Sequence, residues 1–189
     1  MTLKQQHFYY GAILSAIIEN NPDASVAMLQ RNDEHRGIFT IETNTSQKCC
    51  IFFKQALQKK KETKVWQFLF SDDDVDILKI YYNEKIPTFI YLLCRTSELK
   101  NSEIAVLKLD EFLNLNKESI TIKPNHHNFD ISRGKSPSND FSIARNRITK
   151  DFDTLITEVV KDSNGYYCPR CNIPIDIEQL IQRHCCCQH

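Results

Sequence analysis

Glycine is scarce in this chain, with 4 among 189 residues, and none of the four stands in a Gly-rich loop of the kind that wraps a phosphate. No stretch approaches the roughly 18 consecutive apolar residues of a membrane span, so no membrane association is expected. Charge of one sign is also missing. Lys and Arg number 24 and Asp and Glu number 24, for a formal net charge of +0, so no global field draws the chain toward nucleic acid, anionic lipid or an acidic partner. Neither G-x-S-x-G nor H-E-x-x-H occurs, which leaves out the nucleophile elbow and the helical zinc protease motif. There is no internal repeat. The opening Met1-Thr-Leu-Lys-Gln-Gln-His has no basic region followed by an apolar stretch, so no cleaved signal peptide is expected, and the expected location is cytoplasmic.

Hydrophobic residues make up 41% of the chain, enough to bury a core. Five of the 8 cysteines fall within the last 22 residues. The other three, Cys49, Cys50 and Cys94, sit inside apolar runs that read as strands. Helical spacing of Tyr9, Ala12, Ile13, Ala16 and Ile17 predicts a helix over 5–20, stopped at Asn20-Asn21-Pro22. Short extended runs follow at Ser25–Leu29, Gly37–Thr43 and Lys48–Lys54, separated by polar turns. Val65–Phe70 alternates and runs into Ser71-Asp72-Asp73-Asp74, a helix start at which carboxylates suit the dipole. Pro87–Cys94 is nearly all apolar and reads as a central strand. Glu103–Leu107 and Ser119–Lys123 are further strands, with a short helix at Leu109–Leu115 between them. Residues 124–147, rich in Asn, Ser, Pro and basic side chains, read as irregular, and Asp151–Lys161 as a helix.

The expected fold class is therefore α+β: a mixed sheet flanked by helices, with a small C-terminal ββα zinc finger. The expected divisions are a core domain over 1–123, a basic irregular segment with a connecting helix over 124–165, and the finger over 166–189.

The finger rests on spacing. Cys168 and Cys171 form C-x2-C, twelve residues separate Cys171 from His184, and four separate His184 from His189. Two thiolates on a hairpin and two imidazoles on one helix face close a tetrahedron around Zn²⁺ at this spacing. Cys168, Cys171, His184 and His189 are the expected ligands, with Cys185, Cys186 or Cys187 as alternatives to His189. Tyr166, Ile175 and Ile181 fall where a finger core needs apolar groups. Asp176 with Gln179 fits a capping box for the helix. The tail resembles a C2H2 zinc finger. Its Cys-Pro-x-Cys opening also resembles ubiquitin-binding fingers of repair proteins, which place a Cys where this chain has Gln188. At the helix positions that read DNA bases in such fingers stand Ile177, Leu180 and Arg183, two of which cannot hydrogen-bond a base edge. This apolar face suits packing on the rest of the chain or on a protein partner.

The order of one helix, three strands, a further strand, a helix and a strand over residues 5–115 resembles the PD-(D/E)XK, restriction-endonuclease-like core. That resemblance implies an acid on the second strand and an acid two residues before a Lys on the third, together holding Mg²⁺ and the attacked phosphate. Glu42 and Lys54 fall at the matching strands, and Glu19 on the first helix is a further carboxylate. Phe52 stands where the second acid belongs, so either the site is degenerate or the strands match the family in another alignment. Lys123, Arg133, Lys135, Arg145 and Arg147 outnumber Asp130 and Asp140 locally, which suggests a phosphate-binding surface for DNA or RNA. The functional expectation is a zinc protein associated with nucleic acid on a nuclease-like scaffold, a Mg²⁺-dependent nuclease if it cuts. The alternative is a non-enzymatic adaptor that uses the finger's apolar face.

Overall fold

The computed structural model describes residues 5–30, 36–42, 48–58, 63–115, 119–134, 139–150, 152, 155–156, 166–167 and 174–175. The expected helix α1 spans Gln5–Asn20. It ends where expected because Asn20 and Asn21 turn their side-chain amides back onto the carbonyls of Ala16 and Ile17, at 2.8 and 2.9 Å, satisfying acceptors that the last turn leaves open. Strands β1 (Ser25–Gln30), β2 (Arg36–Glu42) and β3 (Lys48–Leu57) follow as an antiparallel meander.

The chain then leaves this sheet. β4 (Trp66–Leu69) joins a second sheet, and α2 (Asp72–Asn83) carries the chain back to β5 (Thr88–Arg95), which lies parallel to β3. β6 (Glu103–Lys108) closes the first sheet antiparallel to β5, giving the order β1-β2-β3-β5-β6. The long apolar runs of β3 and β5 follow from this central position. Ile51 and Phe53 face one side of the sheet and Phe52 the other, and all three are buried, as a strand covered on both faces requires.

After α3 (Leu109–Leu115), the second sheet forms from β7 (Ser119–Asn125), β8 (Asn128–Arg133) and β9 (Phe141–Ala144), in the order β4-β7-β8-β9. The described residues within 124–147 are therefore largely strand rather than irregular as expected. β8 buries Phe129 and Ile131 as its apolar residues, with the polar Ser132 also buried, and β9 buries only Ile143. A short strand with one wet face carries few apolar residues, and the surrounding Asn, Ser and Arg conceal the alternation. A short 3-10 turn at Arg145–Thr149 follows.

Two cores result, one on each face of the first sheet. Phe52, Ile90 and Leu92 meet α2, α3 and the inner face of the second sheet, where Trp66, Phe68, Ile120 and Phe129 lie. On the other face Phe39, Phe53 and Tyr91 meet Ile13 and Ile17 of α1, with Phe152, Leu155 and Ile156. Those last three residues are buried and helical, as the expected 151–161 helix requires at their positions. The coarse class is α+β, with a mixed sheet flanked by helices. No helix among the described residues is long and apolar enough to cross a membrane. In the tail, Tyr166–Tyr167 (β10) and Pro174–Ile175 (β11) pair antiparallel.

Candidate functional site

Asp74 is the most deeply buried charged side chain among the described residues, at 2% exposure. It stands third in α2, where Ser71 caps the helix. The Ser71 hydroxyl accepts from the Asp74 N–H at 3.2 Å, and the Asp74 carboxylate accepts from the Ser71 N–H at 2.9 Å. This reciprocal box fixes the carboxylate at the helix start and turns it toward the sheet.

Two cations meet it there. Arg36 opens β2 and donates from Nη1 to Asp74 Oδ1 at 2.6 Å, and Lys54 on β3 donates from Nζ to Oδ2. Arg36 and Lys54 are direct cross-strand partners, so one antiparallel register presents both to the same carboxylate. Their side chains are 7% and 12% exposed. The Lys54 ammonium also lies 5.0 Å from the centre of the Phe70 ring, a contact favourable to a cation. β2 is held in place from behind. Tyr10 of α1 donates its hydroxyl to the Arg36 carbonyl at 2.8 Å, and a Cβ on Gly37 would come within 2.8 Å of the Tyr10 ring, so only glycine lets α1 approach this closely.

Burial by itself would push the Asp74 carboxyl upward, but hydrogen bonds from Lys54, Arg36 and Ser71 outweigh it and hold the group below its ordinary value. Among the described residues the cluster is thus two cations on one ionised carboxylate, a surplus of one positive charge in a nearly dry place.

The expected catalytic residues do not gather. Glu42 closes β2 at the end opposite Arg36 and pairs with Lys48 at 3.4 Å, largely exposed. Six residues of strand separate it from the Lys54 level, about 20 Å at ~3.4 Å per residue. Glu19 is exposed on α1, where it accepts from Ser15 at 3.3 Å. α1 covers the face of the sheet that carries Phe53, whereas Lys54 follows Phe52 to the other face. Of the three, only Lys54 reaches the buried cluster. The donor set there does not fit a divalent metal, which needs several oxygens free to coordinate. Asp74 already receives three hydrogen bonds, and two cations adjoin it. Among the described residues no three His, Cys, Asp or Glu side chains form a metal-holding group.

Sequence reasoning took the carboxylates of 72–74 together as a dipole feature and did not single out Arg36. The available signal was Asp74 three residues after Ser71, the spacing of a capping box. That spacing gives no hint of partners 38 and 20 residues away.

The basic residues are also placed differently from a free cationic stripe. Arg133 meets Asp140 through Nε at 2.8 Å and Nη2 at 2.7 Å, which lowers the Asp140 carboxyl below its usual range. Arg145 pairs with Glu103 and donates to the His126 carbonyl at 2.8 Å. Arg147 grips Glu111 with two bonds, 2.6 and 3.0 Å, and donates to the Val106 carbonyl at 3.0 Å. Because β6 is an edge strand, Arg147 caps an acceptor that has no strand beyond it. Glu103 and Glu111 lie far away in sequence, so a local charge count over 119–150 missed them. Lys123 is half-buried on β7, opposite Asp130. Lys135 lies outside the described residues, as do Cys168, Cys171, His184 and His189 with Cys185, Cys186 and Cys187. The antiparallel pair of β10 and β11 brackets the C-x2-C segment in sequence.

A polar recess of about 570 Å³ opens between the β5–β6 turn and the end of β3. Its groups are bonded to one another: Thr96 N–H to Ser102 Oγ at 3.1 Å, Asn101 to Glu98 at 3.1 Å and Lys100 to Glu98 at 3.3 Å. No family model matches the chain, and no curated protein matches it.

Proposed function

We propose that the protein associates with nucleic acid on a restriction-endonuclease-like scaffold that does not cut, and carries a zinc-binding tail. The connectivity supports the scaffold: helix, three-strand meander, a strand that joins the second sheet, helix, then a strand parallel to the third. One observation carries the reading of the site. At the level of Lys54, where the nuclease resemblance asks for acids around a metal, this chain puts Arg36 and a single, fully engaged Asp74. A centre of positive sign repels Mg²⁺ and suits a phosphate, so binding without hydrolysis is the activity expected of it.

The tail would hold Zn²⁺ through Cys168, Cys171, His184 and His189, or with one of Cys185, Cys186 and Cys187 in place of His189. Ligand spacing and the bracketing β10–β11 pair support this.

The test is binding of the full chain to short DNA and RNA duplexes and single strands across a salt series, with and without Mg²⁺. Affinity should fall as salt rises, and Mg²⁺ should release no cleavage product. Mg²⁺-dependent cleavage lost in Lys54→Ala would refute the non-cutting assignment, and absence of binding at low salt would end the nucleic-acid reading altogether.

A second reading gains from the ion pairs of Arg133, Arg145 and Arg147. Arginines committed to Asp140, Glu103 and Glu111 have little left for phosphates, which favours an adaptor whose finger docks a protein through Ile177 and Leu180. On that reading Leu180→Asp abolishes the partner contact while zinc stays bound, and binding to nucleic acid is absent at every salt concentration.

A further inference from the structure

Among the described residues the Arg36–Asp74–Lys54 cluster is unbalanced, and the imbalance can be assigned to particular atoms. A guanidinium carries five N–H donors in a fixed plane. Arg36 commits Nη1 to Asp74, and among the described residues no side chain or carbonyl takes a hydrogen bond from its Nε or Nη2. These atoms are not sealed away. Among the described residues, the one buried side-chain nitrogen or oxygen without a hydrogen-bond partner is Arg95 Nε, so the free edge of Arg36 meets solvent. Lys54 donates to Asp74, lies over the Phe70 ring and is 12% exposed. Among the described residues the planar pair of donors left over in the cluster is therefore Nε and Nη2 of Arg36, with the Lys54 ammonium adding its charge nearby.

A surplus charge at sites 7% and 12% exposed is costly without a counter-charge, because water can solvate it only partly. Two parallel N–H donors form the fork that takes two oxygens of one oxyanion. From these observations we infer that the Arg36 edge is a binding site for a single phosphate group, completed electrostatically by Lys54. The inference rests on the nucleic-acid reading only for the source of that phosphate, which is either a free phosphate ion or the backbone of a bound strand. Asp72 and Asp73 are exposed in the first turn of α2. Their charge opposes an approaching anion, so the site should be weak for free phosphate.

The experiment follows the side-chain Nε–Hε resonance of Arg36, assigned by its loss in Arg36→Lys, while the full chain is titrated with inorganic phosphate and, separately, with chloride at matched ionic strength. Phosphate should give a saturable shift and chloride should not. Lys54→Met leaves Arg36 and Asp74 as a balanced pair with the Arg36 fork intact, so it should weaken phosphate binding by about tenfold or more, one unit charge having been removed from the site. Asp72→Asn combined with Asp73→Asn should tighten it. A phosphate shift that never saturates, or unchanged affinity in Lys54→Met, would overturn the site. The outcomes separate from those for the proposed function. A duplex that binds without moving the Arg36 resonance sinks this site and leaves nucleic-acid binding standing. Saturable phosphate binding without any duplex binding does the reverse.

Discussion

Asp74→Asn should be among the most destabilising single-atom-scale changes in this protein, and Lys54→Met should be nearly silent. Both replace a member of the same cluster with a residue of similar volume, so packing changes little and charge decides the difference. In the wild type Asp74 faces Arg36 and Lys54, with exposures of 2%, 7% and 12% for the three side chains. Removing the carboxylate's charge leaves two adjacent cations in a nearly dry site. Taking one partner from a buried ion pair costs about 3–5 kcal/mol, against a typical domain stability of about 5–15 kcal/mol. Removing Lys54 instead leaves the Arg36–Asp74 pair balanced and places a methionine beside Phe70. The change should then fall within about 1 kcal/mol in either direction, since a buried ion replaced by a packed apolar group is often neutral.

Urea unfolding checks the order, with the midpoint displaced and the slope unchanged. Equal losses in the two variants would refute the charge accounting, and so would an Asp74→Asn cost below about 1 kcal/mol. Acid supplies an independent check. Because the folded-state Asp74 carboxyl is held below its ordinary value of 3.8, its contribution is fully present above that value and is lost as pH falls through the lower folded value. Wild type should therefore lose part of its stability below about pH 4. The curve for Asp74→Asn should lack that component.

Arg147→Met should cost about 1–3 kcal/mol by urea unfolding, because it removes the cation from Glu111, leaving that carboxylate with the Lys108 N–H at 2.8 Å, and uncovers the Val106 carbonyl at a sheet edge; a loss under about 0.5 kcal/mol would show that the pair is merely tolerated. Native mass spectrometry should find one zinc ion per chain, lost in Cys168→Ser and in Cys171→Ser, while Lys54 and Asp74 variants keep it. Retention in both cysteine variants would remove the finger from the account.

Much of the fold was legible because its elements carry local signals. The Ile13 and Ile17 spacing of α1, the Asn20-Asn21-Pro22 stop, the Ser71 start of α2 and the apolar runs of β3 and β5 each lie within one element. There, periodicity and capping depend only on neighbours along the chain. The strands β8 and β9 were missed for the complementary reason. Each buries so few side chains that its alternation cannot be told from a polar loop until β7 pairs with it.

The sequence by itself determined the α+β class, the central strands, the bounds of α1 and α3, the start of α2 and the C-x2-C…H-x4-H pattern of the tail. Tertiary structure decided the site. Whether a charged side chain is free or spent depends on what lies across the sheet from it, and that distance is not encoded in spacing. Lys54 stands beside Arg36 because β2 and β3 pair in one particular register, and both reach Asp74 because β4 and α2 return across that face. Arg145 and Arg147 look like loose basic charge in sequence, yet fold onto Glu103 and Glu111, more than 35 residues away. Electrostatic pairing acts through space and falls off over a few ångströms, so only the folded chain fixes which charges remain to meet a ligand.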